Sequence, residues 1–460
     1  MGFSPHHPRR FAIPPATNAL LTLTGGFALL IALGTSLLLL PFASTSEGMA
    51  PFQAALFTAT SAACVTGLVV VNSSTYWTGF GQAAIAGLMF LGGLGIMTSG
   101  ALLLLAIGRR LTLADQLALR EPMGAMTLGN VSRLGRQVFL FAVSIQAVGF
   151  LFLLVRFLSR FSLGDAAWQA LFHSISAFNN AGFVILPDSA SLTAFRQDYM
   201  VLAVMGVLIV LGAISFAVVA DLSRMRRFNR WSLDTRLVVL GTLFLWLVGG
   251  AAMLLFELGN GATLGGLSVA EQVGNSVFQA VTARTAGFSS IDFREARAGT
   301  HFLFMALMFI GGASASTAGG IKVNTAMVLL VAVLASLRGR TRPEVFKRQL
   351  PYVQVARAAA VVALAGSVLF MGVVALAVTE DSHLTSGQFQ FTDLLFETVS
   401  AVGTTGLSTG ITSQLTDPGK YVITLLMYIG RLGPLTIALG LAMRERRAIY
   451  RYAEETVRIG

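Results

Sequence analysis

Eight apolar runs, each near or above the roughly 20 residues that a helix needs to cross a hydrocarbon core, recur along this chain of 460 residues. They lie near 18–42, 80–107, 137–158, 199–220, 236–257, 302–337, 352–378 and 420–442. Within each successive pair sits a shorter, less apolar segment (52–66, 166–181, 271–286 and 391–405), too short to cross and so expected to be a re-entrant pore helix. Each short segment runs into an octet ending in glycine and Leu or Phe: SAACVTGL (61–68), SAFNNAGF (176–183), VTARTAGF (281–288) and SAVGTTGL (400–407). One such octet marks an ordinary turn. Four of them, with glycines spaced by 182 − 67 = 115, 287 − 182 = 105 and 406 − 287 = 119 residues, mark tandem units. The expected fold is an all-α integral membrane protein: four tandem repeats of helix, pore helix and helix around a pseudo-fourfold pore, with eight transmembrane spans. The expected boundaries are a cytoplasmic segment 1–17, repeats at 18–108, 137–221, 236–338 and 352–443, cytoplasmic linkers at 109–136, 222–235 and 339–351, and a cytoplasmic tail at 444–460.

Composition agrees with a membrane solvent, since 55% of residues are hydrophobic and only 12% charged. A net charge of +11 could suggest nucleic acid, but the basic residues cluster in alternate loops. Arg9 and Arg10 precede the first run; Arg109, Arg110, Arg120, Arg133 and Arg136 follow the first pair; Arg224, Arg226, Arg227, Arg230 and Arg236 follow the second. Arg338, Arg340, Arg342, Lys347 and Arg348 follow the third pair, and Arg444, Arg446, Arg447, Arg451 and Arg458 end the chain. The positive-inside rule makes these loops and both termini cytoplasmic, so the octets face outward and no nucleic-acid partner is expected. The outward loops carry Glu47, Asp165, Asp188, Asp198, Asp292, Glu295, Glu380, Asp381, Asp393 and Asp417, either an acidic vestibule that concentrates cations or simply solvated charge. PRRFAIP superficially resembles a twin-arginine signal, but the apolar run after it is too long for one and reads as a retained span. A single cysteine, Cys64, and five scattered histidines offer no disulfide and no metal-ligand spacing. No nucleophile, phosphate-loop or dinucleotide motif is present, so the chain reads as a non-enzyme without a covalent cofactor.

The octets suggest how a cation would be held. Each follows a helical segment with an aromatic at Phe57, Phe172, Phe278 or Phe396, whose C-terminal dipole end favours positive charge. Gly67, Gly182, Gly287 and Gly406 can adopt a positive φ that turns consecutive carbonyls inward. The residues before them, Val65 and Thr66, Asn180 and Ala181, Thr285 and Ala286, Thr404 and Thr405, differ between copies, as main-chain coordination permits. The alternative is that these glycines merely end helices.

The second run of each pair aligns as well. LGGLGIMT (91–98), LGAISFAV (211–218), IGGASAST (310–317) and IGRLGPLT (429–436) place Gly92, Gly212, Gly311 and Gly430 at a shared, expectedly flexible point. The next residue is Gly93, Ala213, Gly312 and, in the fourth copy, Arg431, 11 residues from either end of its run. An arginine at that depth costs about 2.5 to 3.5 kcal/mol, so it faces water beneath the octets or an acid such as Glu397. The run 302–337 would be about 54 Å long as one helix, too long for a core of about 30 Å. Its interior, Gly311, Gly312, Ala313, Ser314, Ala315, Ser316, Thr317, Ala318, Gly319 and Gly320, is a poor helix former with many hydroxyls, and Lys322 closes it. A break lining the pore is expected there, a gate held partly by Arg431; a small-residue packing face is the alternative.

TSAACVTGL, FHSISAFNNAGF, QAVTARTAGF and ETVSAVGTTGL, in order with GGASASTAGGIKVNT and YIGRLGPLT, resemble the KtrB and TrkH members of the Trk/Ktr/HKT superfamily over nearly the whole chain. The eight runs, with no extra N-terminal pair, look closer to the KtrB membrane subunit. The resemblance implies potassium uptake across the bacterial plasma (inner) membrane by a homodimer, each protomer with its own pore, under a ring of cytoplasmic KtrA/TrkA-type nucleotide-binding subunits. The basic loops offer that ring a surface, as they would anionic lipid. It assigns Gly67, Gly182, Gly287 and Gly406 to a K+ filter, 311–320 to an intramembrane gating loop, and Arg431 to the pore. Some plant relatives carry serine at the first filter glycine and transport sodium; glycine at 67 favours potassium. Related systems are often activated by Na+, for which no site is legible in the sequence. Channel-like flux is expected, with sodium- or proton-coupled secondary transport as the alternative.

Overall fold

The computed structural model describes residues 15–46, 48–108, 128–187, 191–225, 227–340 and 342–443. Arg9, Arg10, Glu47, Arg109, Arg110, Arg120, Asp188, Arg226 and the tail 444–460 lie outside the described residues. The regular secondary structure described is helical apart from a two-stranded hairpin, β1 (Glu344–Val345) with β2 (Arg348–Gln349).

The order long helix, short helix, second apolar stretch occurs four times. It runs α1 (Pro15–Leu38), α2 (Phe52–Ala63) and α3 (Gly79–Gly108), then α4 (Leu128–Phe157), α5 (Leu163–Phe178), α6 (Tyr199–Ala213) and α7 (Phe216–Arg224). The third passage is α8 (Leu233–Glu257), α9 (Val269–Thr282), α10 (Ala298–Phe309) and α11 (Val323–Leu337). The fourth is α12 (Tyr352–Thr379), a turn of helix α13 (Asp381–Thr385), α14 (Phe391–Gly403) and α15 (Asp417–Met443).

The short helices α2, α5, α9 and α14 have 12, 16, 14 and 13 residues. None can reach more than about 24 Å, less than a hydrocarbon core. Their starts are set locally: the Ser162 hydroxyl accepts from the Asp165 N–H, and Ser268 with Glu271 and Gln390 with Asp393 form capping boxes. Phe57, Phe172, Phe278 and Phe396 are all buried and anchor these helices in the core.

Packing closes the architecture into a circle. Each second stretch contacts the next passage's short helix: α3 meets α5, α6 meets α9, α10 meets α14, and α15 returns to α2.

Four described helices are long and apolar enough to cross a membrane, Gly79–Thr98, Gly135–Phe157, Leu233–Glu257 and Tyr352–Thr379, or five if the bent pair α6 and α7 is one span. Leu23–Leu38, Ala298–Phe309 and Val323–Leu337 are shorter apolar helices. The break expected in 302–337 is present, as the non-helical stretch between α10 and α11. A second break was not expected from the continuous apolar run 199–220: α6 and α7 meet at 98° across Ile214 and Ser215. Its cause is visible in the hydrogen bonds. The carbonyls of Gly212 and Ala213 accept from Thr317 N (3.1 Å) and Ala313 N (3.0 Å), loop residues of the third passage. Ser215 then starts α7 by accepting from Val218 N at 3.3 Å.

Candidate ion pathway and gate

After each short helix the chain takes the same unusual turn. Gly67, Gly182, Gly287 and Gly406 have φ of 96°, 70°, 77° and 95°, as expected. Two residues earlier, Val65, Asn180, Thr285 and Thr404 also lie at positive φ, 56°, 57°, 71° and 46°. Three of these are β-branched, and each such residue carries about 1–2 kcal/mol of strain. The intervening Thr66, Ala181, Ala286 and Thr405 have negative φ, so the sign of φ alternates along each strand. The N–H groups are committed to the helix behind: Thr66, Ala181 and Thr405 each donate at 2.8 Å to the carbonyl of Ser61, Ser176 and Ser400, and Ala286 donates to Thr282 O at 2.9 Å. The Ser61 and Ser400 hydroxyls accept from Gly67 N and Gly406 N, both at 3.0 Å.

The four strands touch in sequence. A Cβ placed on Gly67 would lie 2.5 Å from Ala181 O; one on Gly182, 3.0 Å from Ala286 O; one on Gly287, 2.3 Å from Thr405 O; and one on Gly406, 2.1 Å from Thr66 O. The contacts run from first to fourth strand and back to the first. No residue but glycine fits this ring without displacing a carbonyl of its neighbour.

A second set of glycines packs rather than flexes. A Cβ on Gly92, Gly212 or Gly430 would approach Ala63 O, Phe178 O or Val402 O to 2.0, 1.7 or 2.2 Å, the same octet position in each case. The helix is continuous through Gly92 and Gly430, so the expectation of a shared flexible point is corrected: these glycines admit the short helix to close backbone contact. At the third position Gly311 meets Gly319 O instead, at 1.9 Å, because here the helix has given way to the loop.

That loop is pinned from several sides. Its ends are drawn together by a bridge between Ile310 and Ile321, with Gly311 N donating to Ile321 O at 2.8 Å and Val323 N to Gly312 O at 2.9 Å. Ala315 (φ 60°) and Gly320 (φ 62°) make its turns. The Ser314 N–H reaches Asn324 Oδ1 at 3.1 Å, the Ser316 hydroxyl donates to Ala313 O at 2.7 Å, and Lys322 Nζ donates to Ala318 O at 2.5 Å. Thr317 Oγ1 lies 2.7 Å from the Asn180 side chain, tying the loop to the second strand. Gly319 N donates to Thr285 Oγ1 at 3.0 Å, tying it to the third.

Arg431, 4% exposed, donates through Nη1 to Thr317 O at 2.6 Å and through Nη2 to Gly92 O at 3.4 Å. It therefore reaches the loop at Thr317. The alternative of an ion pair with Glu397 is corrected: among the described residues Arg431 has no carboxylate within 4.0 Å. Glu397 instead binds the Ser408 hydroxyl and, at 2.8 Å, Thr412 Oγ1 in the segment that follows the fourth strand.

Several loop acids prove to be structural. Asp198 is buried and paired with Arg156 at 2.7 Å; Glu380, fully buried, accepts from Thr416 Oγ1 at 2.6 Å and contacts His383. Asp165 and Asp393 serve helix starts. Sequence reasoning missed Glu257, fully buried and accepting from Thr263, Asn260 and Thr300, and Arg284, 3% exposed, whose Nη2 donates to Gly311 O at 2.5 Å. Arg284 left a signal, being the one charged residue in any of the four octets. Among the described residues no cluster of His, Cys, Asp or Glu could hold a metal ion.

The chain is helical, with several helices long and apolar enough to cross a membrane, and its class is that of the membrane transporters by the family its sequence matches. The TrkH family model, described as a cation transport protein, matches residues 6–451, and the chain belongs to this family. It is 41% identical over 435 residues to the Ktr system potassium uptake protein B of Bacillus subtilis, covering 95% of each chain. It is 38% identical over 440 residues to the potassium/sodium uptake protein NtpJ of Enterococcus hirae, covering 95% of this chain and 96% of that one. Its fold matches the crystal structure of the potassium transporter TrkH from Vibrio parahaemolyticus with a TM-score of 0.72, at 19% identity, over 94% of this chain and 86% of the other. The family is one of cation transporters and not an enzyme class.

Proposed function

We propose that this chain is the membrane subunit of a potassium uptake system, conducting K+ down its electrochemical gradient through one pseudo-fourfold pore per chain. The observation that carries this reading is the closed ring of strands in which each ring glycine abuts the carbonyl before the next. Carbonyls of Val65, Thr66 and Gly67, and of their counterparts in the other three strands, replace the hydration shell of K+. Four repeats supply eight spans, the first span of each repeat entering from the cytoplasm and the second returning to it, which leaves both termini cytoplasmic. The loop from Gly311 to Gly320, with Lys322 and Arg431, is the gate beneath the ring. Two chains form a homodimer, and a cytoplasmic KtrA/TrkA-type nucleotide-binding subunit sets the gate, with Na+ as an activator. The names of the two curated relatives support potassium as cargo, and that of NtpJ keeps sodium in view. The two broken helices, α6 with α7 and α10 with α11, are also features of coupled transporters, the second reading.

Rescue of a potassium-uptake-deficient bacterium on low potassium tests the cargo. Growth with the parent chain, and a weakened preference for potassium over sodium with Gly67→Ser, is the expected result. No rescue by a parent chain that reaches the membrane contradicts the proposal.

A further inference from the structure

Arg284 and Thr285 are adjacent, and they grip the loop at two separate points. Arg284 Nη2 donates to Gly311 O at 2.5 Å, where the loop leaves α10. Thr285 Oγ1 accepts from Gly319 N at 3.0 Å, eight residues later and near the return to α11. Thr285 is itself the positive-φ residue of the third strand, and Ala286 and Gly287 complete that strand. The other three octets carry Cys64, Asn179 and Gly403 where the third carries Arg284, so the arginine half of this grip is found only in the octet whose own passage supplies the loop. Gly319 also lies against the fourth strand, where an added Cβ would meet Thr404 Oγ1 at 1.8 Å. Arg431 holds the loop from a different place, through Thr317 O at its middle and from a helix of the fourth passage. Arg284 is 3% exposed and lines a small cavity with Ile209, Ala213, Trp246 and Val281, residues of the second and third passages. Its one hydrogen bond among the described residues is to backbone, at Gly311 O.

We infer that Arg284 and Thr285 are positioning residues that couple the loop to the third strand, so that the loop cannot move without disturbing the selectivity of the ring. Arg431 instead bonds the loop at Thr317 O and α3 at Gly92 O, with no hydrogen bond to the third strand. Releasing Arg431 therefore changes how much ion passes, whereas releasing Arg284 or Thr285 changes how much passes and which ion. The inference rests on the reading of 311–320 as a gate over a potassium-selective ring.

The test is the flux and the K+/Na+ permeability ratio of full-length protein in liposomes, for the parent, Arg431→Ala, Arg284→Gln, Arg284→Lys and Thr285→Val. Charge-assisted hydrogen bonds of this kind shift an equilibrium by roughly tenfold or more when removed. The expected result is a roughly tenfold rise in flux for both Arg431→Ala and Arg284→Gln, with the permeability ratio falling severalfold only in Arg284→Gln. Arg284→Lys keeps a cationic donor and restores part of the ratio. Thr285→Val is nearly isosteric, removes only the acceptor for Gly319 N, and lowers the ratio even if Arg284→Gln does not fold. A ratio unchanged in Thr285→Val and in folded Arg284→Gln, while Arg431→Ala raises flux, overturns the coupling and leaves the gate standing. Unaltered flux in Arg431→Ala, together with an unselective parent, overturns the gate and ring readings themselves.

Discussion

Alanine placed in turn at Gly67, Gly182, Gly287 and Gly406 should damage ion selection in a definite order. All four residues have φ between 70° and 96°, so each substitution carries a common penalty of about 1–2 kcal/mol for a left-handed L-residue. What differs is the space. The nearest oxygen to the new Cβ is 3.0 Å away at Gly182, 2.5 Å at Gly67, 2.3 Å at Gly287 and 2.1 Å at Gly406. An ordinary carbon–oxygen contact is about 3.3 Å, so the opposing carbonyl must retreat by about 0.3, 0.8, 1.0 and 1.2 Å respectively. Each of those carbonyls belongs to the next strand of the ring, and under the proposed K+ coordination a displacement near 1 Å removes a ligand from the ion rather than adjusting one. K+ and Na+ uptake in a potassium-uptake-deficient bacterium, normalised to folded protein in the membrane, gives the readout. Gly182→Ala should keep most of its potassium preference, Gly67→Ala should lose part of it, and Gly287→Ala and Gly406→Ala should lose nearly all. Equal loss at all four positions, or Gly406→Ala indistinguishable from the parent, would refute the reasoning from the ring.

Arg431→Ala removes a 2.6 Å hydrogen bond to Thr317 O and should raise K+ flux, as should deletion of 312–318; flux unaltered by both changes removes the gate. Gly430→Ala drives a Cβ to 2.2 Å from Val402 O and should lower the unfolding temperature in detergent by several degrees. Gly366→Ala, in α12 with nothing within 4 Å of the new carbon, should be neutral or stabilising by about 0.5–1 kcal/mol, and the contrast separates close packing from a general intolerance of alanine.

What was legible in the sequence was whatever depends on local chemistry. The four short helices, the positive φ of Gly67, Gly182, Gly287 and Gly406, and the break after α10 follow from length, from glycine's freedom and from a run too small and polar to stay helical. What was not legible depends on partners far along the chain. The bend at Ile214 is invisible in an apolar run, because its cause is the capture of the Gly212 and Ala213 carbonyls by residues about 100 positions later. The strained Val65, Thr285 and Thr404 contradict the preference of β-branched residues for negative φ, and only the surrounding ring holds them there. Gly92 and Gly430 looked like hinges because glycine serves flexibility and close approach alike, and only the carbonyl opposite distinguishes the two. Arg431 was expected either to hold the loop or to pair with an acid, and the sequence could not choose between them; the guanidinium bonds the carbonyls of Thr317 and Gly92, and the second of these has no signature in sequence.

The central claim is that K+ passes through the ring without being exchanged or carried with another ion. The reversal potential of current through the purified chain in a planar bilayer, with unequal K+ and with Na+ and pH first equal and then unequal across the membrane, tests it directly. The account predicts a reversal potential that follows the K+ equilibrium potential in every condition, with Na+ altering the size of the current and not its reversal. A reversal potential that moves with the Na+ or proton gradient at fixed K+, in the ratio of a fixed stoichiometry, would contradict it.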